Sequence, residues 1–438
     1  MSWRYANAAQ QLTERLGIAP RRAIYGPVGG ESPVRYLHEA ALRIARGESA
    51  VAAIAGAEAQ STVAKAKKAE CDLPWTPPDG PRSLRGPDYL HPLAVKLGVA
   101  MPVTVYPFYD AASAEHWGQT PREALAESGD LWVKYAGVAA SNPAAWIKHR
   151  FSAAEIITPS ADNRLIAWPY TKLMVANPTV NQGAAILMTS LARARKAGIA
   201  AERLIHIWGG AAANEPRDYL QRDHYYESHA QNAVLETAVA IAEDHRFDAL
   251  ELYSCFPCVP KMARRTLGLG ADVEPSVTGG LTFFGAPLNN YMNHAACAMV
   301  RRLRGGGGRG LLYGQGEFVT KHHGLVLASA PPPRPLESWS ASVQVQADSR
   351  RGAVPPFLVE TTGPAFLETF TVIFDRDGAV NHGVVILRTG DGARTLARVP
   401  AADSDTLGLL TDLDHTPLGL DGVLTSNADG ISDWRARS

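Results

Sequence analysis

The sequence has few cysteines, no excess charge of either sign and no long apolar run. Four cysteines in 438 residues are too few for a disulfide framework and are typical of reduced thiols in a cytosolic protein. Basic and acidic residues balance at 43 each, so electrostatics favours neither nucleic acid nor an anionic membrane as partner. No apolar run reaches the roughly 18–20 residues that span a bilayer, and the polar, amphipathic start lacks a secretory signal. We therefore expect a cytoplasmic protein that binds neither nucleic acid nor membranes.

Two stretches of the chain alternate between strand-like and helix-like patterns, which indicates an α/β sheet buried on both faces. Helices are predicted for NAAQQLTERLG (7–17), VRYLHEAALRIARGE (34–48), PREALAESGDLWVKYAGVAA (121–140), AAILMTSLARARKAGI (184–199), ESHAQNAVLETAVAIAEDH (227–245) and YMNHAACAMVRRLRGGGG (291–308). RAIYGPVGGESP (22–33) is predicted to be a short strand that runs into a Gly/Pro turn. Further strands are predicted for AVAAIAGAE (50–58, buried), RLIHIWGGAA (203–212) and FDALELYSCF (247–256, buried), and RGLLYGQGEF (309–318) with HHGLVLASA (322–330) is predicted to be a hairpin.

Composition divides the chain into three parts. Residues 1–160 form one α/β half with a long excursion over residues 70–160, and residues 161–330 form the second half. The proline-rich PPPRPLESW (331–339) is the expected boundary. Residues 340–438 have short alternating runs with the hairpin turns DRDG and TGDG and no convincing helix, which predicts a small all-β barrel.

The segment ELYSCFPCVP (251–260) places Cys255 and Cys258 in C-x-x-C spacing. A redox pair would need a thioredoxin-like βαβ unit of its own, and a zinc site would need a second pair, whereas Cys71 and Cys297 are isolated. Two packed core or pocket thiols are the favoured interpretation, and no metal site is predicted.

Glycine-rich turns recur where strands end. GPVGGESP (26–33) lacks the residues of a phosphate or dinucleotide loop, so it is either a tight turn or a set of N–H groups for a carbonyl or phosphate. GGLTFFGAPLNNYMNHA (279–295) and GQGEFVTKHHG (314–324), with His322 and His323, are further turns of this kind. Because ligands bind at the carboxyl ends of strands in such sheets, these turns together predict a site.

The set of turns, in this order, resembles the thiolase superfamily, and most closely its thiolase-like branch, which is related to the sterol-carrier-protein-type thiolases and acetyl-CoA acetyltransferases. The resemblance rests on GGESP, HEAALRIARGESAVAAIAGAEA, PYTKLMVANPTVNQGAAILMTS, LELYSCFP, TGGLTFFGAPLNNYMNHA and GLLYGQGEFVTKHHG, from Asn7 to about Leu327. It implies two stacked βαβαβ halves in a five-layered α/β/α/β/α fold, with the site between the halves. It also implies that the C-terminal β-barrel is the one appended in thiolase-like proteins.

Thiolase chemistry uses a nucleophilic cysteine, a histidine that activates it and helps form the oxyanion hole, and a second cysteine as base. The resemblance matches residues 30–33 with the family's C-x-S-G motif, so that Gly30 takes the place of the first cysteine. Ala286 takes the place of the histidine, and Tyr313 or Gly314 takes the place of the second cysteine. Glycine and alanine have no nucleophilic or proton-transfer chemistry, so no thiolysis or Claisen condensation by this mechanism is expected. The residues that the resemblance places at the pocket are Ser32, Tyr253, Ser254, Cys255, Asn289, Asn290, Tyr291 and His322.

Three functions remain open. The first is an acyl-CoA-binding protein that has lost the catalytic set and has no cofactor other than coenzyme A or an acyl-CoA as ligand. The second is an active acyltransferase that pairs Cys255 with His322 or His323. The third is a non-enzymatic assembly or regulatory subunit whose C-terminal β domain contacts a protein partner.

Relative to the family, the first strand and helix of the N-terminal half are missing. Either the first residue of the sequence is misplaced, which is the favoured explanation, or the first sheet is short and has an exposed edge. Thiolases are usually dimers, and the incomplete half leaves monomer and dimer both open.

Overall fold

The computed structural model describes residues 3–427 and 429–437. Its helices are α1 (Ala8–Leu16), α2 (Ser32–Ala45), α3 (Gln60–Lys68), α4 (Pro92–Lys96), α5 (Pro102–His116), α6 (Pro121–Ser141), α7 (Ala153–Ile157), α8 (Leu191–Lys196), α9 (His229–Ala242), α10 (Cys258–Thr266), α11 (Tyr291–Gly306), α12 (Gln344–Asp348) and α13 (Ser404–Leu410). Its strands are β1 (Val51–Ala59), β2 (Leu165–Ala167), β3 (Tyr170–Thr171), β4 (Asn181–Thr189), β5 (His206–Asn214), β6 (Ala249–Leu252), β7 (Arg309–Gly316), β8 (Lys321–Ala328), β9 (Phe357–Leu358), β10 (Gly363–Phe374), β11 (Val380–Thr389), β12 (Arg394–Pro400), β13 (Asp421–Ser426) and β14 (Ser432–Ala436). Among the described residues, no helix has both the length and the apolar character required to cross a bilayer.

Two sheets enclose a central pair of helices. The larger sheet has the order β5-β8-β7-β6, in which β6 and β7 are parallel and the other pairs are antiparallel. The smaller sheet is the antiparallel pair β1–β4. Helices α2 and α11 contact strands of both sheets, and α9 packs on the other face of the larger sheet against β5 and β8. The core is therefore continuous from the smaller sheet through α2 and α11 to α9.

The β1–β4 pair buries only one of its faces. Nine consecutive residue pairs join the strands, and along both strands exposed residues alternate with partly buried ones. The outward face carries the cross-strand pairs Ala53–Leu187 and Ala55–Ala185, and Leu187 is 75% exposed. The prediction that AVAAIAGAE is a strand is confirmed, but the prediction that it is buried is wrong, because among the described residues no helix layer covers this face.

The C-terminal region closes into a barrel. Strand β10 pairs with β11, β11 with β12, β12 with β14, β14 with β13, and β13 returns to β10. This strand order is that of the OB fold, with α13 between the third and fourth strands. The barrel has an apolar core of its own that includes Phe370, Val385 and Trp434. The predicted all-β barrel is confirmed, although it contains α13, a helix that the sequence analysis did not predict.

The barrel is docked on the α/β core rather than tethered to it. Strand β2 pairs with β10 through Ile373 and Ala167, so a segment of the second half extends the barrel sheet. The Arg394 guanidinium is fully buried and donates hydrogen bonds to the Glu368 carboxylate and to backbone carbonyls of Leu220 and Asp223. Buried backbone oxygens thus hold a side chain of the barrel to a core loop.

Most predicted elements have the predicted type. Strands β5, β6, β7 and β8 and helices α1, α2, α6, α9 and α11 overlap the predicted segments to within two residues at the ends where they extend beyond them, and β7 and β8 form the predicted hairpin. The segment RAIYGPVGGESP has the predicted turn before α2, but the short strand predicted at its beginning is wrong. The prediction of one helix over residues 184–199 is also wrong. Its first part belongs to β4, because residues 184–189 pair with six residues of β1, and only Leu191–Lys196 is helical.

Candidate functional site

The candidate site includes the turn that precedes α2. The Gly29 N–H donates to the Asn289 side-chain oxygen at 3.1 Å, which joins this turn to the segment that precedes α11. The Gly30–Glu31 peptide faces the end of β7, since a Cβ at Gly314 would lie 3.0 Å from the Cα of Glu31. The fold therefore brings together three of the turns that the sequence analysis singled out.

Position 30 has no room for a side chain. A Cβ on Gly30 would lie 2.1 Å from the Tyr253 hydroxyl and 2.3 Å from the backbone oxygen of Gln315. Tyr253 is 7% exposed, and burial raises the pKa of its phenol, so the hydroxyl is neutral. The space that a side chain at position 30 would enter is thus filled by the Tyr253 phenol and closed by backbone.

The neighbouring Glu31 is a buried carboxyl group that the sequence analysis did not select. Its Oε2 has no hydrogen-bond partner among the described residues and lies where a Cβ of Gly316 would approach within 2.1 Å. Burial raises the pKa of Glu31, and the nearby Lys321 ammonium offsets part of this rise. The Lys321 ammonium itself contacts Glu317 Oε1 at 2.8 Å. Glycines at 29 and 316 were the available sequence signal, because only glycine admits a carboxylate this close.

Cys255 lies behind this turn in an uncharged network. The Tyr106 hydroxyl donates to Gln315 Oε1 at 2.9 Å, and the Cys255 thiol contacts the same oxygen at 3.5 Å. Burial raises the pKa of Cys255 to about 12. The group is therefore a thiol at neutral pH, which is a poor nucleophile. No hydrogen bond joins its sulfur to an imidazole anywhere in the described part of the chain.

Cys258 begins α10 and is fully buried, with its sulfur 3.9 Å from the carbonyl oxygen of Tyr106. Burial raises its pKa well above the usual value. All four cysteines, including the exposed Cys71, are free thiols. The two residues of the C-x-x-C segment therefore have the surroundings of packed thiols.

His322 belongs to a separate buried network. Its Nδ1 lies 2.7 Å from the Tyr313 hydroxyl, and its Nε2 lies 3.0 Å from the carbonyl oxygen of Val319 and 3.2 Å from the hydroxyl of Ser228. Since the Tyr313 hydroxyl accepts from Gln231, we assign its proton to the bond with Nδ1 and the imidazole proton to Nε2. Burial lowers the pKa of His322 to about 4, so it is neutral. Both the histidine and Tyr313 are fully occupied by protein partners.

His323 faces the opposite side of β8. Its Nε2 lies 3.0 Å from Nδ1 of His38 on α2, and burial lowers the pKa of both imidazoles. Neither predicted histidine partner of Cys255 is thus paired with it.

The remaining predicted pocket residues make hydrogen bonds that connect turns. Ser32 donates to the carbonyl oxygen of Pro27, Ser254 accepts from the Leu281 N–H, and Asn290 donates to the carbonyl oxygen of Gly56. The N–H of Ala286 donates to the Asn177 carbonyl oxygen at 2.8 Å. The Tyr291 hydroxyl donates to the buried Glu251 carboxylate at 2.6 Å. These groups fix the turns in place, and none of the described cavities is lined by them.

An open groove lies on another part of the surface and does not include Ala286 in its lining. It has a volume of about 650 Å³ and runs between α6, α11 and residues 272–277. Lys134, Arg150 and Arg301 supply positive charges along it, while Asp272 and Glu274 supply negative ones. A groove of this size can hold a ligand as large as a nucleotide.

Comparison with known proteins agrees with this architecture. Residues 344–428 match the family model described as the thiolase-like protein type 1 additional C-terminal domain. Among solved structures, the chain is similar to a monomeric SCP2-thiolase-like protein type 1 from Mycobacterium smegmatis. The TM-score is 0.82 at 27% sequence identity, over 98% of this chain and 87% of that chain. No curated protein sequence matches the chain. The resemblance to the thiolase-like branch is therefore confirmed, as are the mixed α/β content and the closed C-terminal β-barrel. The five-layered arrangement is not confirmed, because no helix layer covers the outward face of β1–β4 among the described residues.

Proposed function

We propose that this chain is an acyl-CoA-binding protein of the thiolase fold that has lost cysteine-based acyl transfer. The observation that carries the proposal is the contact between positions 30 and 253. The residue aligned with the family's nucleophile is glycine, and the Tyr253 phenol fills the space that a nucleophilic side chain would need. A lost side chain whose space has been refilled is more informative than a lost side chain alone, because a single reversion would not rebuild the site.

The reactive groups that remain support the same conclusion. Burial keeps Cys255 in the thiol form, and no imidazole is hydrogen-bonded to it. Cys255 is therefore not activated as the nucleophile that an acyltransferase with a rearranged site would need. His322 is neutral and engaged on both ring nitrogens. A general base needs a free nitrogen within reach of its proton donor.

We place coenzyme binding in the open groove. Guanidinium groups bind phosphate oxygens through paired N–H donors, and Arg150 and Arg301 line the groove together with Lys134. The groove also adjoins the segment that carries the family's motif, since Asn142 on its wall donates to the Thr278 carbonyl oxygen. An acyl-CoA could bind there without any covalent step.

The test is calorimetric titration with coenzyme A, acetyl-CoA and a long-chain acyl-CoA, followed by a thiolysis assay on the same sample. Saturable binding without turnover, weakened in Arg150→Ala and in Arg301→Ala, is the expected result. Arg302→Ala is the matched control, because Arg302 is an exposed residue of α11 outside the groove lining. Turnover that disappears in Cys255→Ala would contradict the proposed loss of catalysis. Absence of binding would contradict the proposal that coenzyme A or an acyl-CoA is the ligand.

A non-enzymatic assembly subunit is the second candidate, and the outward face of β1–β4 favours it. This face is apolar and exposed, and it includes Leu187, which is 75% exposed. Exposed apolar patches on a folded protein commonly mark interaction surfaces. Sedimentation velocity of the wild type and of Leu187→Glu distinguishes this function: association that depends on concentration and is lost in the variant supports it, and a monomer at all concentrations argues against self-assembly.

A further inference from the structure

A cluster of metal-ligating side chains lies outside the site described above. Asp223, His224 and His229 each direct one ligand atom into a common space, and these atoms all lie within 4.8 Å of one another. The three residues come from one short loop, DHYYESH (223–229), which ends at the first residue of α9. Glu227 belongs to the same loop, and its Oε1 lies 3.8 Å from Nε2 of His224.

The distances suit a tetrahedral ion better than they suit hydrogen bonds. Asp223 Oδ2 lies 2.9 Å from His229 Nε2 and 3.6 Å from His224 Nε2, and that nitrogen lies 3.8 Å from Glu227 Oε1. Ligand atoms bound to zinc at about 2.0–2.1 Å in tetrahedral geometry lie about 3.3 Å apart. The observed separations lie on both sides of this value. Only the Asp223–His229 contact is short enough for a hydrogen bond.

The Asp223–His229 ion pair does not account for the position of His224. Its Nδ1 is buried without a hydrogen-bond partner in the described part of the chain, and its Nε2 is too far from both carboxylates for a hydrogen bond. The imidazole is nevertheless held in one orientation, because it stacks on the Tyr226 ring at 3.8 Å. Its Nε2, which lies 3.6 Å from Asp223 Oδ2 and 3.8 Å from Glu227 Oε1, is therefore in position to bind a cation together with these carboxylates.

The carboxylates are held in place by groups outside the cluster. Asp223 Oδ2 accepts from the Gly352 N–H at 2.7 Å, and its Oδ1 accepts from the N–H of His224. Glu227 Oε2 accepts from Asn232 at 2.8 Å, which leaves Oε1 for the cluster. Hydrogen bonds of this kind orient the ligands of metal sites.

We propose that Asp223, His224 and His229, whose ligand atoms converge, bind one Zn²⁺ ion, and that Glu227, whose Oε1 lies 3.8 Å from His224 Nε2, completes the ligand set. Two imidazole nitrogens and two carboxylate oxygens form a ligand set that zinc accepts and that magnesium and calcium, which prefer oxygen alone, do not. The site is independent of the proposed acyl-CoA binding, because the groove lies on other elements and shares no residue with this loop.

The location assigns the ion a structural role. The carbonyl oxygen of Asp223 accepts hydrogen bonds from Arg388 and Arg394 of the barrel, and its carboxylate accepts from Gly352 in the connection to the barrel. Zinc on this loop would fix the residue at which the core, the connection and the barrel meet. Bound zinc should therefore stabilise the attachment of the barrel and protect residues 331–356 from proteolysis.

The experiment uses the full chain after dialysis against EDTA, titrated calorimetrically with zinc chloride and, for comparison, with magnesium chloride. We expect one zinc per chain by elemental analysis, no response to magnesium, and a zinc-dependent rise of the unfolding temperature. His224→Gln should weaken zinc binding at least about tenfold and abolish this rise. It leaves the Asp223–His229 hydrogen bond intact, so the metal-free fold should persist, as circular dichroism would verify.

Glu227→Gln is the second variant, because this partly exposed side chain can be changed without disturbing the core. His415→Gln and Glu202→Gln are matched controls, since His415 has an 85% exposed side chain and Glu202 is exposed on another surface. Weakened binding in both loop variants and unchanged binding in both controls supports the site. Absence of zinc binding, or equal affinity in wild type and His224→Gln, overturns the proposal.

Discussion

The Tyr253 hydroxyl lies where the side chain of residue 30 would begin, 2.1 Å from the position of a Cβ on Gly30. These residues belong to different halves of the α/β core, one in the turn before α2 and the other just after β6. Their contact joins the two halves at the position to which the resemblance assigns the family's nucleophile. It makes position 30 a packing site that admits only glycine.

Gly30→Ala should lower the free energy of unfolding by about 1–3 kcal/mol, the usual cost of overpacking. The Tyr253 ring can shift, but the Gln315 backbone oxygen at 2.3 Å cannot retreat without moving β7. Urea denaturation measures the change. Gly408→Ala in α13 is the control, because a Cβ there meets no atom within 4 Å and should stabilise the helix slightly. Equal effects at the two glycines would contradict the packing role of position 30.

Native Cys255 and Cys258 should resist alkylation, whereas the exposed Cys71 should react. With the pKa of Cys255 at about 12, only about one thiol in ten thousand is ionised at pH 8, and burial excludes the reagent as well. Iodoacetamide labelling followed by peptide mass spectrometry, before and after unfolding in urea, checks the order of reaction. Rapid labelling of Cys255 in the native protein would indicate an activated thiol and would favour the acyltransferase.

His322 should make the protein less stable in mild acid. Its folded pKa of about 4 lies below the unfolded value of about 6.5, so the unfolded chain binds more protons between these values. This contribution to stability is complete above about pH 6.5 and is lost as the pH falls towards 4, by about 2 kcal/mol at pH 5. The neighbouring Glu215 opposes the pKa shift and Arg222 adds to it.

The measurement for His322 is the difference in unfolding free energy between pH 7 and pH 5. We expect this difference to be smaller in His322→Gln than in the wild type, because glutamine does not titrate. His415→Gln, which alters an exposed histidine, should keep the wild-type difference. An unchanged difference in His322→Gln would mean that folding does not lower the pKa of His322.

Arg394→Ala should destabilise the protein by about 3–5 kcal/mol, because it leaves Glu368 without the buried guanidinium and several carbonyl oxygens without a donor. Arg376→Ala is the control, since Arg376 is an exposed barrel residue and should change stability by less than about 0.5 kcal/mol. Guanidinium denaturation gives both values. Limited proteolysis should show earlier cleavage of residues 331–356 in Arg394→Ala only. Equal proteolysis of both variants would contradict the docking role.

The local patterns of the sequence were sufficient for most of the elements. Helix α1 ends at Gly17 in the left-handed conformation, and α9 and α11 follow apolar periodicity, because caps and periodicity act within a few residues. The hairpin turns of the barrel likewise depend on short-range composition. The assignment of the family's catalytic positions to Gly30, Ala286 and Tyr313 or Gly314 rests on the resemblance of the motifs and stays a prediction.

Tertiary structure decided the rest. Residues 184–189 are a strand rather than a helix because β1 supplies six pairing partners for them, and no local pattern contains that strand. The refilled space at Gly30 depends on Tyr253, which lies more than two hundred residues away in the chain. The spacing of Asp223, His224, Glu227 and His229 was visible in the sequence. Their convergence depends on the conformation of the loop, and a residue pattern alone does not set the distances between ligand atoms.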